Sequence, residues 1–394
     1  MSDAVLVLNA GSSSIKFGLF EIFRRSEPEP LSKGLIEGID AEPRLTVKDS
    51  SERILFDRRW HSGDSEEHEN LLAEILNWVD AHLAKKTLVA AGHRIVHGGR
   101  DFVAPVQLTD HIIDALNELT PLAPLHQPHC LSPARALMSL RPGLPQIACF
   151  DTAFHHGLRA PVSRFAIPRS YEESGIRRYG FHGLSYEFIA HRLREISPAL
   201  AGKRTVVAHL GNGASLCAMR DSQSVDTTMG FTALDGLMMG TRCGAVDPGV
   251  LLYLQQARGM SVGDLEQLLY HDSGLLGVSG ISSDMRTLLA SDDPRAAEAV
   301  DLFTFRIARG VSAMANSLGG LECLIFTGGI GEHAKEVREM VCDRLRWLGV
   351  KLEPSANDQA KECISSTESR VDIRVIPTSE ETMIARHMSN LTSR

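Results

Sequence analysis

No stretch of the 394-residue chain approaches the roughly 18 consecutive apolar residues of a membrane-spanning helix. Basic charge is not in excess: 41 Lys and Arg face 49 Asp and Glu, a net charge of −8. That balance argues against nucleic acid or an anionic membrane as a general partner, while leaving room for a small anion held by a few arginines. The seven cysteines are odd in number and lack close pairs, which argues against a disulfide framework or a zinc knuckle and for a reducing compartment. The opening MSDAVLVLNAG lacks the pattern of a secretory signal, so a cytoplasmic location is expected. No Walker P-loop is found: around Gly202-Lys203, Ser197 stands where its first glycine belongs and Arg204 where Ser or Thr belongs. H-E-x-x-H, C-x-x-C and G-x-S-x-G do not occur either. Apolar residues at 43% and charged residues at 23% are ordinary globular usage, excluding bulk disorder, collagen and coiled coil. The length predicts roughly two to three domains.

What is present alternates between strand-like and helix-like segments, predicting an α/β fold. Val5–Leu8 reads as a buried strand, and Lys16–Phe23 as its successor after a Ser-rich turn. Residues 24–34 read as a polar loop, and Leu45–Lys48 and Arg53–Phe56 as short strands. Leu72, Ile75, Leu76, Val79 and Leu83 recur at helical spacing, predicting a helix over Ser65–Ala84. Asp110–Leu119 reads as another helix and Gln146–Phe150 as another strand. Arg204–Leu210 and Ser215–Met219 read as strands around Gly211-Asn212-Gly213. Asp293-Pro294 predicts a capped helix start, with Gly319-Gly320 as its stop. Leu321–Thr327 reads as a strand and Glu332–Leu348 as one helix. The layouts of VLVLNAGSSSIKFGLF and VVAHLGNGASLCAM match at a separation of about 200 residues, suggesting two related halves.

Several turns carry chemistry. In Asn9-Ala10-Gly11-Ser12-Ser13-Ser14-Ile15-Lys16, small residues, hydroxyls and a lysine suit phosphate oxygens, although a plain hairpin turn reads equally well. His93-Arg94-Ile95-Val96-His97 ends a strand with an arginine whose fork suits carboxylate or phosphate, or is a surface cation. Asp151 follows a buried strand, as an acid that holds metal or orients a nucleophile, or as a helix N-cap. His182, between Phe181 and Gly183, reads as a donor to an anionic transition state or as a structural histidine. Arg242 follows the glycine- and methionine-rich stretch 229–239. Gly329-Ile330-Gly331-Glu332-His333-Ala334 fits G-x-G-x-x-[GA] after a strand, with Glu353 about 20 residues on, which admits a dinucleotide or any nucleotide on a helix N-terminus.

Taken in order, VLVLNAGSSSIKFGLF, GHRIVHGG, LAPLHQPH, CFDTAFH, RRYGFHG, VVAHLGNGAS, MGFTALDGLMMGTRCG, FTGGIGEH and VIPTSEETMIA closely resemble the acetate kinase family from residue 5 to about 386. The resemblance implies the duplicated fold shared with sugar kinases and actin, two α/β domains around a nucleotide cleft, and FTGGIGEH as an adenosine-side motif rather than a dinucleotide one. The first domain is expected at 1–151 plus 383–394 and the second at 152–382, in a homodimer. The implied reaction is reversible in-line transfer of the ATP γ-phosphoryl to acetate, giving acetyl phosphate and ADP. Propionate or butyrate are alternative acceptors, and an ATP-driven conformational protein is a remote alternative. The implied catalytic residues are Arg94, Arg242, His182 and Asp151. Arg94, Val96, Leu125, Phe181 and Ala233 are implied around the acyl group, and Asn9 and Glu380 at Mg²⁺, with Mn²⁺ as a substitute. ATP is implied at Ser12, Ser14, Lys16, His126, His209, Leu210, Gly211, Asn212 and Gly213, and at Asp284, Met285, Arg286, Gly329, Ile330, Gly331, Glu332 and His333. The chain departs from the family pattern with Ala233 in place of a proline, Ala245 in place of a common acid, and GLSYEF in place of GTSH after His182.

Overall fold

The computed structural model describes residues 3–11, 14–23, 26–39, 42–60, 68–83 and 85–392. The chain divides into two compact units, Met1–Phe154 with Ser379–Arg394, and His155–Thr378. Among the described residues, no helix is long and apolar enough to cross a membrane.

The first unit carries β1 (Asp3–Ala10), β2 (Ser14–Ile22), β3 (Glu29–Glu37), β4 (Arg44–Asp49), β5 (Ile54–Arg59), β6 (Thr87–Ile95), β7 (Val106–Gln107) and β8 (Gln146–Phe150). They form one sheet in the order β5-β4-β3-β2-β1-β6-β8-β7. β1, β6 and β8 run parallel and the remaining pairings are antiparallel. The helix His68–His82 lays Leu71, Leu72, Ile75, Leu76, Trp78 and Val79 on the face formed by Leu6, Leu8, Ile15, Phe17, Leu19, Leu45 and Val47. The C-terminal helix Glu380–Thr392 packs on β1, β2 and β6. Its close approach depends on Gly92, where a methyl group would collide with Met388 Sδ and lie 2.6 Å from Ile384 Cγ2.

The second unit carries β9 (Thr205–Leu210), β10 (Ala214–Arg220), β11 (Gln223–Thr227), β12 (Cys323–Thr327) and β13 (Asp372–Val375), ordered β11-β10-β9-β12-β13. Here β9, β12 and β13 are parallel and β10 and β11 antiparallel. The subset β3-β2-β1-β6-β8 of the first sheet has the same order and the same directions, so the matched hairpins of the sequence belong to a repeated sheet. The long helix Pro294–Leu318 begins where Asp293 Oδ1 accepts from the Arg295 amide at 2.9 Å, and ends at Gly319 in the left-handed conformation.

Two expectations are corrected. The polar segment 24–34 is not a loop throughout: strand β3 starts at Glu29, and its buried Ser32, Gly34 and Ile36 alternate with outward residues. The predicted helix 332–348 is broken. A six-residue helix, Gly328–His333, ends at Ala334, whose φ of −93° and ψ of 89° leave helical space, and a second helix runs Lys335–Arg344. Of the expected helix 65–84, residues 65–67 and 84 lie outside the described residues, and the described helix is His68–His82.

Candidate active site

In the first unit, parallel strands deliver their last residues to one edge of the sheet, where ligands of open α/β folds collect. Asn9 lies near the end of β1, Arg94 near the end of β6, and Asp151 directly after β8, its amide donating to Ile95 O at 3.0 Å. Glu380 reaches the same edge from the first turn of the C-terminal helix. Arg94 Nε donates to Asp151 Oδ1 at 3.0 Å, and Nη2 pairs with Oδ2. The guanidinium also lies 3.4 Å from Glu380 Oε2 and 3.4 Å from Asn9 Oδ1, and Asn9 Nδ2 donates to Glu380 Oε2 at 3.2 Å. Asp151 is fully buried and Arg94 is 19% exposed. Burial works against the Arg94 cation, yet the charges of Asp151 and Glu380 outweigh it and hold the group above its ordinary value. Through these contacts the Asp151 carboxylate orients the Arg94 guanidinium. The neighbouring Glu381 carboxyl is pushed up by burial and then by the Glu380 charge.

Around this edge, His97 N and O bond the buried Gln127 amide, and Gly98 N donates to Thr152 Oγ1 at 3.0 Å, fixing the turn after β6. Val96 is buried, while Leu125 and His126 are half-buried ahead of the helix Gln127–Leu140. Ser14 opens β2, and Lys16 lies exposed on it, lining a cavity of about 710 Å³ with Glu381, Ser379 and the outward residues of β3 and β4. Ser12 lies outside the described residues.

In the second unit, β9 ends in His209 and Leu210, and Gly211-Asn212-Gly213 turns into β10. His182 precedes the helix Gly183–Ile196 with φ of 58°, left-handed space that few side chains occupy. That backbone turns its ring onto His209, with centroids 4.3 Å apart and planes at 24°. A side chain at Gly213 would lie 2.8 Å from Arg242 Nη2 and 3.3 Å from His182 Nε2, so the glycine lets both groups close on the turn. Arg242 Nη1 donates to the carbonyl of Ala233 at 2.7 Å. Phe181 is buried, its carbonyl bonded by His155 Nε2 at 3.1 Å. Arg178 donates to three successive carbonyls of residues 227–229, which makes it a clamp on that loop.

A second cavity, of about 680 Å³, opens beyond the ends of β9 and β12. Gly211, Asn212, Asp284, Met285, Arg286, Gly329, Ile330 and His333 line it. Ala334, the last residue of the G-x-G-x-x-[GA] match, lines it too, as do Ser283, Leu289 and Glu336, which were not singled out from sequence. The Asp284 carboxylate caps the helix Met285–Leu289 through the Arg286 amide at 2.8 Å and is held low, at about 2, by the Arg286 side chain first and that amide second. The structure does not bring every expected residue to the cavity wall. Glu332 turns its carboxylate inward, accepting from the amides of Gly328 at 2.8 Å and Thr378 at 3.1 Å. Gly331 is buried beneath the turn, and Gly213, His209 and Leu210 lie outside the lining.

Chemically, the first edge offers an arginine set between fixed carboxylates, with an amide and a carboxylate supplying hard oxygen donors of the kind a magnesium-sized cation takes. The second unit offers a cavity of nucleotide size beside a glycine turn, a second arginine and a histidine.

A profile described as the acetokinase family matches residues 4–386. The chain is 53% identical over 395 residues to the acetate kinase of Rhodopseudomonas palustris (strain ATCC BAA-98 / CGA009), covering 99% of each. Its fold is similar to that of a propionate kinase from Francisella tularensis subsp. tularensis SCHU S4, with a TM-score of 0.89, 35% identity and 98% of each chain covered. It is similar also to Porphyromonas gingivalis acetate kinase, with a TM-score of 0.86 and 37% identity over 99% of this chain and 100% of the other.

Proposed function

The chain belongs to the acetokinase family, and from that premise we propose that it transfers the γ-phosphoryl of ATP reversibly to acetate. A carboxylate oxygen forms a bond to phosphorus as the bond to the β-phosphate oxygen breaks, giving acetyl phosphate and ADP with no net proton transfer. The observation that carries the reading is the convergence of Asn9, Arg94, Asp151 and Glu380 at the ends of β1, β6 and β8. Two anions must meet in this reaction, so catalysis consists of positioning and charge neutralisation.

In this proposal Arg94, oriented by Asp151, binds the acceptor carboxylate and the transferring oxygens through its planar fork. Arg242 and His182 donate to the phosphoryl oxygens from the second unit, and the 680 Å³ cavity receives the nucleotide. Gly213 and Gly329 present backbone amides to phosphate, while the Gly211 amide closes the turn on the Gly213 carbonyl at 3.0 Å. The donor set of Asn9 and Glu380 fits Mg²⁺ or Mn²⁺; such an ion supplies neutralising charge on the phosphates when bound. Acyl-phosphate formation, trapped with hydroxylamine, is the test. Mg-ATP with acetate gives acetyl hydroxamate if the reading holds, and absence of product with acetate, propionate and butyrate rejects it. Glu380→Ala is expected to weaken the magnesium response, and an unchanged metal profile rejects that assignment.

A second acceptor has specific support. Ala233 replaces a proline of the family pattern, and each further buried CH₂ is worth about 0.8 kcal/mol, roughly fourfold. Propionate is the alternative substrate, and a higher kcat/KM for it than for acetate would make it the preferred one.

We also assign the enzyme a homodimeric state. The helix Pro248–Arg258 buries none of its residues, and Val250, Leu252 and Tyr253 are exposed along it. An apolar patch of that kind marks an association surface.

A further inference from the structure

The two ring nitrogens of His182 meet different surroundings. Nε2 lies on the side of Gly213 and the Arg242 guanidinium. Nδ1 lies 2.8 Å from Ser215 Oγ, which in turn lies 2.5 Å from the Tyr186 hydroxyl. Ser215 and Tyr186 are both fully buried. On the other side of the stacked pair, His209 Nδ1 bonds Ser185 Oγ at 2.8 Å, and Ser185 bonds Thr378 Oγ1 at 2.8 Å. The pair of rings is thus held from both ends, which keeps Nδ1 of His182 turned inward.

Which nitrogen bears the proton decides what a neutral His182 presents to an anion. A serine hydroxyl has one proton to give and lone pairs with which to accept. A phenol is a stronger acid than an aliphatic hydroxyl, so a bond as short as 2.5 Å is polarised from Tyr186 towards Ser215. Burial holds the Tyr186 phenol well above its ordinary value, keeping that proton in place. With its lone pair engaged by Tyr186, Ser215 has its own proton left for Nδ1.

We propose that Tyr186 and Ser215 form an ordered pair of hydrogen bonds that holds neutral His182 in the tautomer protonated on Nε2. The ring then directs an N–H towards the anionic oxygens beside Arg242. The opposite tautomer would direct a lone pair at them. Tyr186 and Ser215 are positioning residues in this scheme, and Tyr186 belongs to the GLSYEF segment in which the chain departs from its family's pattern. The proposal deepens the kinase reading and rests on it for the role of Nε2.

The test is ring-nitrogen NMR of the full chain labelled with ¹⁵N-histidine, at about pH 8 where unperturbed imidazoles are neutral. The His182 signals, identified by their loss in His182→Gln, are expected to show a protonated Nε2 and an unprotonated Nδ1. A protonated Nδ1 overturns the proposal while leaving phosphoryl transfer intact. Conversely, a protonated Nε2 in a protein that forms no acyl phosphate would sustain the tautomer and reject the kinase reading. Tyr186→Phe keeps the ring and removes the donor. It is expected to mix the two tautomers and to lower kcat about three- to tenfold, the range of one ordinary hydrogen bond, with KM for ATP changed less than about twofold. Ser215→Thr retains the hydroxyl and is expected to keep the wild-type ring signals, whereas Ser215→Ala loses them. An unaltered spectrum and kcat in Tyr186→Phe would also overturn the proposal.

Discussion

A carboxylate as deeply buried as Asp151 is tolerated because Arg94 meets both of its oxygens. Arg94→Ala therefore has two expected effects. Turnover falls by about 10²- to 10³-fold or more as a cation leaves the transferring charge, and stability falls by about 3–5 kcal/mol as a buried charge is left uncompensated. Hydroxylamine-coupled assays measure the first and urea unfolding the second; a variant of normal activity would reject the assigned role. Acid sensitivity has a separate source. Burial depresses His93, His97 and His155 to about 4, with the Phe181 carbonyl partly offsetting it at His155. Their folded values lie below the unfolded value of about 6.5, so the stability gained by keeping them neutral is complete above that pH. It is lost as pH falls towards 4, at about 1.4 kcal/mol per pH unit per histidine. Urea midpoints measured from pH 7 to 4 are expected to fall, and a flat profile over pH 6.5–4 would refute this account. Arg94, His182 and Arg242 stood out at strand ends and turns, each with a structural alternative beside it, and their catalytic roles came only with the family resemblance. Ser215 and Tyr186 did not stand out, because a small hydroxyl and an aromatic at inward positions read as core until their hydrogen bonds are seen.

Among the elements, the contact of β6 with the C-terminal helix joins packing to chemistry, since Gly92 lies two residues before Arg94 and the helix begins at Glu380. Gly92→Ala forces a methyl group into Met388 and Ile384. The expected cost is about 1–3 kcal/mol of stability, with a larger proportional loss of activity than of folded protein, because displacing the helix displaces Glu380. Thermal unfolding compared with kcat decides it; a variant of wild-type Tm and kcat would show that the helix tolerates the shift. Strong periodicity made most elements readable: Leu72, Ile75, Leu76 and Val79 of the helix His68–His82, and Leu83 just after it, are buried, as their spacing predicts. Strand β3 escaped because Glu29, Pro30, Ser32, Lys33 and Gly34 look like a turn. The strand exists because Phe17 of β2 packs against Gly34, where a larger residue would not fit. The break at Ala334 escaped because no Pro or Gly marks it. There the buried Arg338 draws the chain round by donating to Gly331 O at 2.9 Å and Glu332 O at 2.8 Å.

For the whole molecule, the repeated sheet was foreshadowed by one pair of similar hairpins, because a tight turn between antiparallel strands draws small residues to the same places. The proposed association of subunits rests on the exposed apolar residues of the helix Pro248–Arg258. Sedimentation is expected to give twice the chain mass, and Leu252→Glu with Tyr253→Glu is expected to give monomers; a wild-type monomer would reject the dimer. The C-terminal helix has a last consequence, in time rather than space. Asn9 and its partner Glu380 are 371 positions apart in the chain, and the sheet that both complete belongs to the unit synthesised first. At about 5–20 residues per second, a ribosome that has finished β6 needs some further 15–60 s to make the residues that cover it. Through that interval the nascent first unit has an uncovered sheet face and an arginine without one of its carboxylates. The second unit can finish folding while the first still waits, and the edge that joins Asn9, Arg94 and Glu380 is assembled only as translation nears residue 392.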